Sequence, residues 1–305
     1  MKLGIIGAGA LGLTFAAALS PVHDVIVLAR RAATAELLQR EGIAREVAGA
    51  LDRVAVAATA DPAELGDLDA VIVAVKAYAT LAALAPLRGV LAPRTLVASV
   101  QNGLDAAAVA RAALPGARVV AGSTTQGAIR LGEGRVQPVN CGTTQFAAGD
   151  GESPSAGDLV AAFLAAGLDA RITDDAAAML WRKLVVNAAI NPLCALTATP
   201  NGAAASEGLA PLARALAAEA AAVARAEGSD LGDPWPAVEA AALASATNRN
   251  SMLQDLDAGR PTEIDAISGA IVERARRHGI AVPLTATMLA MVRAREGAPG
   301  ADARE

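Results

Sequence analysis

The sequence predicts an α/β fold, in which an N-terminal doubly wound parallel sheet of the Rossmann type is followed by an all-helical C-terminal half. Up to about residue 170, short apolar runs alternate with helix-like stretches, a pattern typical of a parallel sheet flanked by helices. After Asp174 the strand signals stop, and helical patterns separated by Gly, Pro and Asn follow. A length of 305 residues accommodates two domains. We therefore predict one domain at 1–173 and a second at 174–305.

Each element follows from its local pattern. Short apolar runs predict strands at Leu3–Ile6, Val25–Leu28, Val54–Ala57, Ala70–Val75, Leu96–Ser99 and Val119–Ala121. Alanine-rich stretches between them predict helices at Ala33–Arg40, Thr80–Leu84 and Ala106–Ala113, after a first helix at Ala10–Leu19. From Gly132 to Gly149, glycine, threonine and alternating apolar residues indicate antiparallel strands at one edge. The second half predicts helices at Ala176–Ala195, Leu209–Glu227, Pro236–Leu256, Glu263–His278 and Pro283–Arg295.

Composition excludes several classes of protein. Hydrophobic residues make up 54% of the chain, which is enough apolar surface to fold and argues against disorder. A net charge of −5 and an aromatic content of 2% argue against nucleic-acid binding, which needs a basic face and stacking rings. Cys141 and Cys194 are far apart in the sequence, and neither lies in a CxxC motif or near histidines. We therefore expect neither a disulfide scaffold nor a metal site. A reducing cytoplasm fits this cysteine usage.

The N-terminus allows a second interpretation. Lys2 is followed by the uncharged, mostly apolar stretch Leu3–Leu19, which resembles a signal peptide. Glycines at 4, 7, 9 and 12 interrupt this stretch, and it is shorter than the roughly 20 apolar residues that a bilayer requires. We therefore expect a cytoplasmic protein that does not bind membranes.

A glycine loop follows the first predicted strand. Gly7-Ala-Gly-Ala-Leu-Gly12 has the spacing GxGxxG and opens the first helix of a βαβ unit. The first glycine permits the tight turn, the second lets a pyrophosphate approach the backbone, and the third lets helix and strand pack closely. The helix N-terminus then offers unpaired N–H groups to the phosphates. This context predicts a dinucleotide site rather than a merely flexible turn.

The end of the second strand bears on which dinucleotide binds. An NAD site places an acidic residue there to bond the ribose 2′-hydroxyl. Here Val25–Leu28 leads instead to Arg30 and Arg31, and a guanidinium suits a 2′-phosphate. The alternative is a pair of solvated loop arginines. The pattern favours NADP over NAD.

A polar stripe marks the first helix of the second half. Lys183, Asn187 and Asn191 are spaced i, i+4, i+8 and so share one face of an otherwise apolar helix. In a cleft, a partly desolvated lysine has a lowered pKa and becomes a better proton donor near neutral pH. Alternatively, the lysine reaches solvent and the asparagines tie helices together. The spacing alone does not decide between these two interpretations.

Further polar residues are candidates on weaker grounds. Asn248 and Ser251 form an i, i+3 pair on one predicted helix, and Ser251 is either a carboxylate ligand or an exposed hydroxyl. Glu263 is either a first-turn acid capped by Thr262 or an acceptor for ligand hydroxyls. Lys76 and Asn102 each lie just past the carboxyl end of a predicted strand, which is where open parallel sheets bind ligands. Each is either a ligand-binding residue or a turn residue.

Taken together, these segments resemble the ketopantoate reductase (2-dehydropantoate 2-reductase) family over nearly the whole chain. The glycine loop is shared by many dehydrogenases, whereas the segments of the second half are specific. The segments that carry the resemblance are Gly7–Gly12, Val73–Lys76, Gln101–Gly103, Thr124-Thr125, Lys183–Pro192, Asn201-Gly202, Asn248 with Ser251–Asp255, and Gly259–Asp265.

The resemblance implies reduction of 2-dehydropantoate to (R)-pantoate in pantothenate and coenzyme A biosynthesis, with a hydride from NADPH and a proton from Lys183. It also implies a small-molecule 2-keto acid as partner, and a monomer or homodimer. The implied cofactor-binding residues are Gly7, Ala8, Gly9, Ala10, Leu11, Gly12, Arg30, Lys76, Asn102, Ala128 and Glu263. The implied substrate-binding residues are Asn102, Lys183, Asn187, Asn191, Asn201, Asn248 and Ser251.

Two departures from the family pattern leave the exact acid open. Gln126 stands where a histidine is expected after the Thr-Thr pair, and Asn250 stands where a serine or similar small residue is expected. A reductase of another 2-keto acid or of an imine is therefore the first alternative. The second is a catalytically silent NADP(H) sensor, against which the intact Lys183 and its neighbours argue.

Overall fold

The computed structural model describes residues 1–47, 49–149, 151–152 and 154–297. The chain divides into two compact units. The first unit comprises Met1–Gln101 and Asp105–Ala176, and the second comprises Asn102–Leu104 and Ala177–Glu305. The short segment Asn102–Leu104 thus leaves the first unit and packs with the second, where Leu104 lies against the helical core.

The first unit is built on an eight-stranded sheet. In chain order its strands are β1 Lys2–Ile6, β2 Asp24–Leu28, β5 Ala57–Thr59, β6 Ala70–Val73, β7 Leu96–Ser99, β8 Arg118–Thr124, β11 Thr144–Ala147 and β12 Ala170–Thr173. Their spatial order is β12-β11-β8-β7-β6-β1-β2-β5. All described pairings are parallel except that of β11 with β8. The central strands β6 and β7 are buried along their whole length, as expected for parallel strands covered on both faces.

A second, four-stranded sheet completes the first unit. Its strands are β3 Ile43–Val47, β4 Ala50–Val54, β9 Gly127–Gly132 and β10 Arg135–Asn140, in the order β4-β3-β10-β9. The predicted strand at Val54–Ala57 was wrong, because those residues span the end of β4 and the beginning of β5. The antiparallel strands predicted between Gly132 and Gly149 belong to two different sheets. The strand β10 pairs with β9 in the smaller sheet, and β11 pairs with β8 in the larger one.

Helices cover the larger sheet. They are α1 Ala10–Leu19, α2 Ala32–Glu41, α3 Thr80–Leu84, α4 Ala106–Ala113 and α5 Ala156–Ala165. Three phenylalanines pack together in the core on one face of the sheet. The ring of Phe163 lies edge-on to those of Phe15 and Phe146, at centroid distances of 5.1 and 5.3 Å.

The regular secondary structure in the described part of the second unit is helical. Its helices are α6 Ala176–Thr197, α7 Ala210–Ala226, α8 Trp235–Ala244, α9 Ser251–Asp257, α10 Ala270–His278 and α11 Pro283–Glu296. A π-helical turn at Asp265–Gly269 leads into α10. The buried sides of these helices are built from alanine, leucine, valine and isoleucine, with Trp181 and Trp235 as the large exceptions. The predicted α/β half followed by an all-helical half is confirmed.

One predicted helix of the second unit was wrong. Pro236–Leu256 is not a single helix but α8 and α9, separated by a break at 245–250. Asn250 caps α9, because its side chain accepts a 3.0 Å bond from the N–H of Leu253. Asn248 therefore lies in the break and Ser251 begins α9, so the expected pairing of these two residues on one helix does not occur. In the described part of the chain, no helix has the length and hydropathy needed to span a bilayer.

Candidate active site

The glycine loop between β1 and α1 adopts the tight turn that its spacing predicts. Gly7 has φ of +113°, which disfavours any other residue, and its N–H donates to the carbonyl of Leu28 at 3.0 Å. A Cβ on Gly12 would lie 2.0 Å from the carbonyl oxygen of Gly7, so a larger residue there would force the loop away from the helix. The first and third glycines are therefore required by the turn itself.

Gly9 has a different role from its neighbours. A Cβ there would meet nothing closer than the carbonyl oxygen of Ala74 at 3.9 Å, so the missing side chain leaves open space above the backbone. Gly9 is also the N-cap of α1, where no side chain bonds the first N–H groups of the helix. Open space beside uncapped N–H donors fits a dinucleotide pyrophosphate. The remaining loop residues, Ala8, Ala10 and Leu11, are half-buried.

The two arginines after β2 have different surroundings. Arg31 forms an ion pair with Glu133, with 2.8 Å between Nη2 and Oε1. Arg30 is exposed, and it makes no hydrogen bond or ion pair with the residues that the structure describes. Glu133 lies between β9 and β10, 102 positions from Arg31, and it also accepts a hydrogen bond from Thr34. Sequence reasoning missed this acid because its approach to Arg31 depends on how the two sheets pack.

Two further cofactor candidates lie elsewhere in the first unit. Lys76 follows β6, and its carbonyl accepts from the N–H of Ala79 at 2.8 Å. Ala128 lies on β9 opposite Pro138. The unexpected Gln126 is fixed locally, because its Nε2 donates to the carbonyl of Gly142 at 2.6 Å.

Lys183 lies on α6, as its spacing with the two asparagines predicts. The helix buries Leu184, Val185 and Ala188 around this polar face, while Lys183 and Asn187 are half-buried and Asn191 is 7% exposed. Among the described residues, Lys183 Nζ makes no hydrogen bond or ion pair. The lysine is thus held in an apolar setting without being neutralised by direct contact.

A hydrogen-bonded chain lies beside this lysine. Asn187 Nδ2 donates to Asn102 Oδ1 at 3.3 Å, and Asn102 Nδ2 donates to Glu263 Oε2 at 2.8 Å. Glu263 is 7% exposed. Three residues that are distant in sequence are therefore brought together within the second unit, because Asn102 belongs to the segment that packs with it.

The pKa of Lys183 reflects two opposing influences. Burial lowers the pKa from its ordinary value of 10.5 to about 8, because it removes water from the ammonium. The negative charge of Glu263 acts in the opposite direction and raises the pKa. Lys183 is therefore mostly protonated at neutral pH, yet its proton is more easily transferred than that of an ordinary lysine.

The end of α11 fixes the segment that carries Glu263. Glu296 Oε1 accepts from the N–H of Thr262 at 2.7 Å, and Arg293 Nε donates to Asp265 Oδ1 at 2.8 Å. Thr262 in turn caps the turn, because its Oγ1 accepts from the N–H of Ile264 at 3.1 Å. Neither Glu296 nor Arg293 was predicted, and no local sequence signal identifies residues that act across about thirty positions.

A second polar cluster forms around Asn201. Asn201 Nδ2 donates to Ser245 Oγ at 3.0 Å, and Asn201 Oδ1 accepts from Asn250 Nδ2 at 3.1 Å. The carbonyl of Asn248 accepts from the N–H of Asn201 at 2.9 Å. Ser251 is exposed at the start of α9. Asn250, which the sequence marked as a departure, thus caps a helix and orients a candidate substrate ligand.

No group of three or more His, Cys, Asp or Glu residues in the described ranges is arranged to hold a metal ion. The chemistry available to the described site is therefore an ammonium, three carboxamides and one carboxylate in the second unit. The first unit, by itself, has a glycine loop with open space beside uncapped N–H groups and an exposed arginine, Arg30, that makes no ion pair with the described residues. An ammonium beside fixed carboxamides suits reduction of a carbonyl group, and the glycine loop suits a dinucleotide.

Comparison with known proteins agrees with this chemistry. Residues 3–151 match the family described as ketopantoate reductase PanE/ApbA, and residues 175–296 match its C-terminal domain. The 2-dehydropantoate 2-reductase of Halobacterium salinarum is 37% identical over 239 residues, which are 76% of this chain and 78% of that protein.

Solved structures extend the likeness over nearly the full length. The PanE/ApbA family ketopantoate reductase from Ralstonia eutropha JMP134 superposes with a TM-score of 0.88 at 33% identity, covering 97% of this chain and 98% of that one. A D-mandelate dehydrogenase in a ternary complex with NADH and anilino(oxo)acetate superposes with a TM-score of 0.90 at 25% identity, with the same coverage.

Proposed function

The chain belongs to the ketopantoate reductase family, and from that premise we propose that it reduces 2-dehydropantoate to (R)-pantoate with NADPH. This places it on the route to pantothenate and coenzyme A. It is an oxidoreductase acting on a CH–OH group. The observation that carries the proposal is the half-buried Lys183, whose polar neighbours Asn187, Asn102 and Glu263 form one hydrogen-bonded chain.

We assign cofactor binding to residues 1–173 and the substrate to residues 174–305. Gly9 and the N–H groups at the start of α1 would hold the pyrophosphate, and Arg30 would pair with the 2′-phosphate. When bound, NADPH supplies the hydride for the ketone carbon. The other proposed cofactor contacts are Gly7, Ala8, Ala10, Leu11, Gly12, Lys76, Asn102, Ala128 and Glu263.

Lys183 has the proposed role of proton donor. Its ammonium both stabilises the negative charge that develops on the ketone oxygen and gives that oxygen a proton. With a pKa of about 8, the group is charged before the reaction and releases its proton without a large penalty. Glu263 supports this role because its charge favours the ammonium form.

The carboxamides have the proposed role of orienting the substrate. The side-chain amide of each of Asn187 and Asn102 has two N–H groups, and the hydrogen-bonded chain to Glu263 uses one of them. The second N–H of each amide suits a carboxylate or hydroxyl oxygen of the substrate. A chain of fixed amides holds its donors in place, which reduces the reorganisation needed at the moment of reaction. The further proposed substrate contacts are Asn191, Asn201, Asn248 and Ser251.

A second candidate is the reduction of a different 2-keto acid. The likeness to D-mandelate dehydrogenase favours it, since that protein is named for a 2-hydroxy acid and its structure contains NADH. Asn250 favours it as well, because it orients the proposed substrate ligand Asn201. A silent nucleotide sensor would need no proton donor, so the half-buried Lys183 argues against it.

The proposal is tested by following NADPH consumption with 2-dehydropantoate, pyruvate and 2-ketoisovalerate in parallel, and by repeating each assay with NADH. Turnover confined to 2-dehydropantoate and faster with NADPH is the expected result. Faster turnover on another keto acid would replace the first candidate with the second. Tight NADPH binding without turnover of any of the three acids would contradict the first candidate and favour a different keto acid or a silent sensor.

A further inference from the structure

The structure brings a carboxylate to the place where the sequence has none. No acidic residue follows β2, and that absence is the basis for favouring NADP. Glu133 instead reaches the side chain of Arg31 from the turn between β9 and β10, with its Oε1 2.8 Å from Arg31 Nη2. The same oxygen accepts a hydrogen bond from Thr34 on α2. Of the two arginines that follow β2, Arg31 is therefore paired with a carboxylate from another part of the unit.

These charges act in opposite directions on a 2′-phosphate. An arginine attracts the phosphate, whereas a carboxylate repels it and competes for the arginine. The hydrogen bond from Thr34 and the charge of Arg31 hold the pKa of Glu133 below its ordinary value, so the residue is a carboxylate at neutral pH. Arg31 is thus engaged by an ionised partner, while Arg30 has none among the described residues.

We propose that Glu133 is a specificity-determining residue, which limits the preference for NADPH over NADH by holding Arg31 in an ion pair. A 2′-phosphate must compete with Glu133 for Arg31, and Arg30 is the arginine that it meets without competition. The inference rests on the proposed use of a nicotinamide dinucleotide, and it concerns the selectivity of that same site. It follows that neutralising Glu133 strengthens NADP+ binding and leaves NAD+ binding nearly unchanged.

The test is a titration of the full chain with NADP+ and with NAD+, without any keto acid, in the unaltered protein and in Glu133→Gln. We expect the Kd for NADP+ to fall about threefold to tenfold, the size of one competing charge near the protein surface, and the Kd for NAD+ to change less than twofold. Glu41→Gln is the matched control, because Glu41 is exposed and also pairs with an arginine, Arg40. That control should leave both constants unchanged.

A second variant, Arg31→Ala, shows whether Glu133 affects NADP+ binding by holding Arg31 or by repelling the phosphate directly. In Arg31→Ala, adding Glu133→Gln should give a clearly smaller gain in NADP+ affinity than in the unaltered protein, because only the direct repulsion between Glu133 and the phosphate is then removed. An equally large gain in Arg31→Ala would overturn the role of Arg31. An unchanged ratio of the two Kd values in Glu133→Gln, or weaker NADP+ binding, would overturn the inference altogether. Failure of the unaltered chain to bind either nucleotide would instead contradict the proposed function.

Discussion

Asn102 Nδ2 donates a hydrogen bond of 2.8 Å to Glu263 Oε2, although 161 positions separate the two residues in the chain. Asn102 also accepts a bond from Asn187, so the carboxylate whose charge raises the pKa of Lys183 is anchored to the helix that carries the lysine. The contact between Asn102 and Glu263 thus fixes the charge that keeps the proposed proton donor protonated.

The first prediction concerns the pH dependence of the reaction. Because the donor must be protonated, kcat/KM should fall as the pH rises through about 8, the pKa of Lys183. In Glu263→Gln the opposing charge is lost, the pKa of Lys183 falls further, and the decline should begin at lower pH. Glu273→Gln, an exposed acid on α10, should keep the original profile. A decline that moves to higher pH in Glu263→Gln would contradict the assignment.

The second prediction concerns Glu296, which holds the Thr262 N–H. Glu296→Ala leaves that donor without its partner and should lower the free energy of unfolding by about 1–3 kcal/mol. It should also lower kcat, because the segment carrying Glu263 loses an anchor. Glu296→Gln keeps an acceptor oxygen and should stay close to the unaltered protein in both urea denaturation and kcat. Equal losses in the two variants would show that charge, not the hydrogen bond, matters.

The third prediction concerns Asn250. Asn250→Ser keeps a cap for α9 but is too short to reach Asn201, so the KM for the keto acid should rise about threefold to tenfold. Asn250→Asp also caps, but it places an oxygen against Asn201 Oδ1 and should raise that KM further. The KM for NADPH should not change, which would show that the substitution affects keto-acid binding alone. Parallel increases in both constants would indicate a general loss of structure.

The fourth prediction concerns the 2′-phosphate. Arg30→Ala should raise the KM for NADPH about tenfold or more and that for NADH less than twofold, because a charge-assisted contact to the phosphate is lost. Arg31→Ala should have the smaller effect, since Glu133 already engages Arg31. Steady-state kinetics with both nucleotides check this. Similar effects of Arg30→Ala on the two nucleotides would refute the phosphate contact.

The sequence predicted those elements that local patterns determine. Leu96–Ser99 and Ala106–Ala113 agree with the structure at both ends, because a buried apolar run and an alanine-rich stretch need no distant partner to be recognised. Helix α5 was missed although Ser155 and Asp158 form a capping box at its start. The break before α9 was also missed, since the cap at Asn250 interrupts a stretch that reads as helical throughout.

The sequence predicted the site residues that share one helix but not those that act on distant parts of the chain. The spacing of Lys183, Asn187 and Asn191 was visible because one helix carries all three, and the structure places them as expected. Glu133 and Glu296 were invisible, because each acts on a partner 34 or more positions away. The roles assigned to the site residues by resemblance stay predictions that the proposed variants test.

The central claim is that Lys183 donates the proton, and the most direct measurement is kcat for Lys183→Met beside Lys183→Arg. Met removes the charge and the proton, whereas Arg keeps the charge but does not release a proton near neutral pH. We expect kcat to fall by about 10²–10⁴ in Lys183→Met and to stay well below the unaltered value in Lys183→Arg. Nearly full turnover in either variant would contradict the claim.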